Sequence, residues 1–121
     1  MQPYHELLLW QTAMDLAEAI YRHTRHFPAT EHIGLTAEIR QSANAIPAHV
    51  ADKYGVNDST PDFLQALTFA QHSLLQLETQ VLIANRLDLL PPESFAELSR
   101  HIADTYQLIQ AFFNSLAPPP A

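Results

Sequence analysis

The sequence contains no cysteine, which excludes disulfides, thiolate metal sites and a cysteine nucleophile. A chain of 121 residues can bury a core without such staples, and the absence fits a reducing cytosol. Glycine is almost as scarce, with 2 residues where average usage gives roughly 8. Sandwiches and barrels turn about every 8–12 residues and use glycine to do it, so the shortage argues against an all-β fold. Gly34 and Gly55 lie far apart, so a glycine-rich phosphate loop is excluded as well. Positive charge is sparse. Six Lys and Arg against 13 Asp and Glu give a net charge of −7, an unfavourable balance for meeting a phosphate backbone. No apolar run approaches the ~20 residues of a membrane span. The start, Met1-Gln2-Pro3-Tyr4-His5-Glu6, lacks the basic region of a secretory signal. A cytoplasmic protein with no membrane partner is expected.

Proline is abundant, and its placement is informative. Pro3, Pro28, Pro61, the pair Pro91-Pro92 and the tail Pro118-Pro119-Pro120 all fall between apolar-periodic segments. Proline suits a helix start or the stretch just past a helix end, and costs ~3 kcal/mol or more in an interior. These residues therefore punctuate four segments. The first, about Glu6 to His26, carries Trp10, Ala13, Ala17, Ile20, Thr24 and Phe27. The second, about Leu35 to Tyr54, carries Leu35, Ile39, Ala43, Ile46, Val50 and Tyr54, with Gly55 placed as its C′ residue. The third opens on Ser59 or Thr60 as N-cap with Pro61 at the first helical position. It continues through Phe63, Leu67, Ala70, Leu74, Leu77, Val81 and Ala84. The fourth runs from Pro92 to about Leu116 through Phe95, Leu98, Ile102, Tyr106, Ile109, Phe113 and Leu116. Alternating steps of three and four mark amphipathic helices. The expected fold is all-α, an up-down-up-down antiparallel four-helix bundle over residues 1–116, with a mobile Pro-rich tail at 117–121. Pro47 alone falls inside a segment, so helix two is expected to kink there, for packing or for function.

Helix three carries a second apolar stripe. On a 100° wheel Leu64, Leu75 and Leu82 cluster away from the first stripe. Either neighbouring helices cover both stripes, or the second one is an interface with another copy. Glu78 lies between the two, which predicts partial burial and a polar partner, with Arg40 or a tyrosine hydroxyl as candidate.

Catalytic and metal constellations are not evident. His23 and His26 sit one turn apart, but Arg22 and Arg25 flank them and disfavour a divalent ion. The four residues read as a solvated basic helix end, and together they are the candidate contact for nucleic acid. No Glu has a His three residues later, and the zinc pattern HExxH is missing. Glu93 and Glu97 read as a solvated face of helix four. No cofactor is expected.

Three motifs in order resemble a known family. They are Trp10-Gln11-x-Ala13-Met14-x-Leu16-Ala17 with Ile20-Tyr21-x-x-Thr24, then Gly34-Leu35-Thr36-x-x-Ile39-Arg40 with Ile46-Pro47, Ala51 and Tyr54-Gly55. The third is Ser73-Leu74 through Leu77-Glu78-Thr79-Gln80-x-Leu82-Ile83-Ala84. Over about residues 4–116 the chain resembles the four-helix bundle proteins encoded in intervening sequences of bacterial large-subunit ribosomal RNA genes. A relative of that family is the accessory variability protein of diversity-generating retroelements. The resemblance implies an up-down bundle assembled as a homopentameric ring, and, for basic members, work with RNA. This chain departs from the basic pattern: Gln41 follows Arg40 and Val56 follows Gly55. Five copies at −7 each would carry −35 formal charges. The expected function is a non-enzymatic, self-assembling scaffold or adaptor, with a nucleic-acid or ribonucleoprotein accessory as the alternative.

Overall fold

The computed structural model describes residues 7–53 and 60–116. It contains four helices: α1 (Leu8–Thr24), α2 (Leu35–Lys53), α3 (Thr60–Arg86) and α4 (Pro92–Leu116). The described residues form no strand. Three helix starts fall where the prolines and the apolar periodicity place them, whereas α1 is shorter than expected at both ends. It stops at Thr24, whose hydroxyl donates to the Ile20 carbonyl at 2.8 Å while the Phe27 N–H bonds the Thr24 carbonyl at 3.2 Å. A single 3₁₀ turn, Ala29–Glu31, then leads towards α2 and had no signal in the sequence. The expected cap at Ser59, the core position Tyr54, the C′ residue Gly55 and the tail 117–121 lie outside the described residues.

Each helix packs on two others: α1 on α2 and α4, and α3 on α2 and α4. This closed circuit puts the α1/α2 seam and the α3/α4 seam on opposite sides of the bundle. Near its end, α1 meets the second turn of α4 through Arg22 and Glu97, and it meets the early turns of α2 through Thr24 and Arg40. Phe63 at the start of α3 meets Phe112 near the end of α4, ring edge to face, with centroids 6.0 Å apart.

All seven expected core positions of α3, Phe63 to Ala84, are buried, as are Ile39, Ala43, Ile46 and Val50 of α2. Pro47 is buried within α2, which continues through it. Two stripes need correction. In α1 the expected Ala13, Ala17, Ile20 and Thr24 are buried, as is Phe27 just beyond it, but Trp10 is only half-buried and Leu9 and Leu16 are wholly buried in its place. In α4 Tyr106 is exposed and the wholly buried Thr105 takes the core position. A phenol keeps its hydroxyl in water. The Thr105 hydroxyl instead donates to its own helix at the His101 carbonyl, 2.8 Å away, and so enters the core with its hydrogen bond made.

The connection from α3 to α4 is a Schellman turn. The Asp88 N–H bonds the Asn85 carbonyl at 3.1 Å and the Leu89 N–H bonds the Ala84 carbonyl at 3.0 Å. Asp88 itself has φ 59°, the left-handed region that glycine usually occupies.

Candidate functional site

Two polar clusters and three grooves are candidates for function. The first cluster lies where the end of α1 meets α4. Glu97 Oε2 accepts from Arg22 Nη1 at 2.9 Å and lies 3.1 Å from His23 Nε2 and 3.8 Å from His101 Nε2. Hydrogen bonding by His23, and next by Arg22, holds the Glu97 carboxyl below its ordinary value. The oxygen that a cation would seek is thus already bonded to a guanidinium. Among the described residues no group of three or more acidic, His or Cys side chains can hold a metal ion.

Of the four basic residues singled out in the sequence, Arg22 and His23 converge on Glu97, whereas Arg25 and His26 are exposed. Glu97 was not legible as their counter-charge. It is separated from Arg22 by 75 positions, and only tertiary packing brings them together.

The second cluster joins α1 to α2. Arg40 Nε donates to Thr24 Oγ1 at 3.0 Å, and its guanidinium lies 4.8 Å from the Tyr21 ring centroid. Asn44 Nδ2 donates to the Tyr21 hydroxyl at 2.8 Å. The expected buried pair of Glu78 with Arg40 is corrected here. Arg40 is tied to α1 by Thr24 and Tyr21, and Glu78 is exposed on α3. The wheel position of Glu78 borders the core stripe, but the α3/α4 seam leaves it open to solvent.

The α1/α2 seam forms an open groove of about 490 Å³, with Trp10, Met14 and Tyr21 on one wall and Pro47, Ala48 and Ala51 on the other. Several residues of the first two sequence motifs meet on this groove. On the opposite side of the bundle, the α3/α4 seam forms a groove of about 400 Å³ that includes Leu75, Glu78, Ala103 and Tyr106. Leu75 and Leu82 are 45% and 47% exposed, whereas Leu64, the third member of the second stripe, is half-buried against the core. The α2/α3 seam differs in character. It is lined by Glu38, Gln41, Ser42, Ser73, Gln76 and Gln80.

A comparison with curated proteins gives no match. The family model for 23S rRNA-intervening sequence proteins matches residues 5–111, nearly the whole chain and all four helices but the last turn of α4, and the chain belongs to that family.

Proposed function

We propose that this chain is a non-enzymatic helical module that assembles with copies of itself into a ring of five and serves as a scaffold or adaptor. One observation carries the reading: two unlike surfaces with exposed apolar side chains lie on opposite sides of one small bundle. The α1/α2 seam exposes Met14 and Tyr21, and the opposite side exposes Leu75, Leu82 and Tyr106. Exposed large apolar patches mark interfaces. Two different patches on opposite sides favour head-to-tail association, which closes into a ring when the rotation between copies allows it. The family resemblance supplies the number five.

Sedimentation of the purified chain tests this. The expected particle is five times the 13.6 kDa chain, and a particle of one chain mass across the micromolar range overturns the reading.

A second reading, an accessory to RNA, is favoured by the family's association with ribosomal RNA intervening sequences and by the exposed Arg25 and His26 at the end of α1. RNA binding that weakens steeply with salt would favour it.

A further inference from the structure

The α2/α3 seam is polar to its floor. Its groove has a volume of about 470 Å³, within the range of small-molecule sites. Exposure divides the polar lining into a rim, formed by Glu38, Gln41 and Gln76, and a floor that includes the buried Ser42 and Gln80. Gln80 is 8% exposed, and its Oε1 is enclosed with no hydrogen-bond partner among the described residues. A buried carbonyl oxygen left without a donor is costly, and native folds keep few of them.

What this groove offers a ligand is acceptors. The Gln80 oxygen lacks a donor, Glu38 adds a carboxylate, and the described lining holds neither a cation nor an aromatic ring. An anion would meet a like charge there, and a sugar or nucleobase would find no ring to stack on. A ligand that brings positive charge together with several N–H donors matches the lining, and the net charge of −7 attracts it. Of the two common organic cations, guanidinium is the more weakly hydrated and so loses less on reaching an enclosed floor. Its planar fork can also give one N–H to an amide oxygen and another to a carboxylate. We propose that the α2/α3 groove is a binding site for a guanidinium group, with Gln80 Oε1 as acceptor at the floor and Glu38 as counter-charge at the rim. The hydroxyls of Ser42 and Ser73 are further acceptors for its remaining N–H groups. Gln41 and Gln76 are long and exposed, so rotation of their side chains opens the way to Gln80. A free guanidino compound and the arginine side chain of a protein partner present the same chemistry, and the test separates them. The site needs no second copy of the chain, so it stands independently of self-assembly.

The experiment follows the side-chain amide of Gln80 and the backbone amides of Ser42 and Ser73 in nitrogen–proton correlation spectra of the full chain. The probes are free arginine, the blocked tripeptide Ala-Arg-Ala, and the same tripeptide with neutral citrulline in place of arginine. Shifts that saturate by about 10 mM are expected with an arginine probe and not with citrulline. Saturation by free arginine supports the site and assigns it to a small guanidino compound. Saturation by the tripeptide alone supports it and assigns it to a partner's arginine. Gln80→Leu removes the orphaned acceptor at similar volume, so it should keep or raise Tm while weakening binding by about tenfold or more. A glutamine with only a structural role would not separate those two readouts. Glu38→Gln, at an exposed position, should leave the melt unchanged and weaken binding with a smaller salt dependence. This second variant carries the test if Gln80→Leu fails to fold. Three results would each overturn the proposal: no saturable shift in the wild type, equal shifts with citrulline, or undiminished binding in the folded variants.

Discussion

Glu97 ties α4 to α1 because Arg22 Nη1 donates to its Oε2 at 2.9 Å and His23 Nε2 lies 3.1 Å from the same oxygen, and the same arrangement makes stability depend on pH. The folded-state carboxyl is lowered from 4.5, so its contribution is fully present above that value and is lost as pH falls through the lower, folded-state value. Glu97→Gln is expected to flatten this acid limb. Urea denaturation of both proteins at pH 7 and at stepwise lower pH should show their stabilities converging as the medium becomes acidic. The pairs are partly solvent-exposed, so the difference at pH 7 should be modest and should shrink in high salt. Asp88 offers the opposite case, a residue whose replacement should help. Its φ of 59° suits glycine, and its backbone already makes the Schellman bond. Asp88→Gly is expected to stabilise the fold by about 0.5–1 kcal/mol, read as a rise of a few degrees in Tm.

Helix boundaries were readable because proline and apolar spacing act locally, within one turn of the residues concerned. Helix faces were readable only where a stripe was uninterrupted. In α3 every expected core position is buried. In α4 two neighbours competed for one position, and size and aromaticity favoured Tyr106. The capacity of Thr105 to return its hydroxyl to the His101 carbonyl decided the other way, and that bond exists only once the helix has formed. In α1 the expected positions Ala13, Ala17, Ile20 and Thr24 are buried, Leu9 and Leu16 join them in the core, and Trp10 alone of that stripe stays half-buried. The distinction between inner and outer positions can be tested on adjacent leucines. Leu74 is 1% exposed and Leu75 is 45% exposed. Leu74→Ala should destabilise the fold by about 2–5 kcal/mol in chemical denaturation. Leu75→Ala should stay within about 0.5 kcal/mol for the single chain, with its effect appearing in assembly instead.

The net charge of −7 argues against RNA, yet screening limits how far that argument reaches. At physiological salt the Debye length is about 8 Å, so distant acids hardly influence what happens at the end of α1. What governs a phosphate there is the local balance, and Glu97 sets it. This carboxylate engages Arg22 and His23 and leaves Arg25 and His26 as the exposed basic groups of that end. None of this was visible in sequence, where the four basic residues read as one cluster and Glu97 as part of a solvated face. Wild-type protein is therefore expected to show no RNA retention above background at about 0.15 M salt. Glu97→Gln removes the competing charge and should produce retention at low salt that disappears as salt is raised, in filter binding over a salt series. The gain should be lost again when Arg22→Ala is added, since the released guanidinium is what meets the phosphate. If the wild type instead bound RNA tightly, with a salt slope of several phosphates, Glu97 would not be the local brake. The accessory reading would then displace the scaffold.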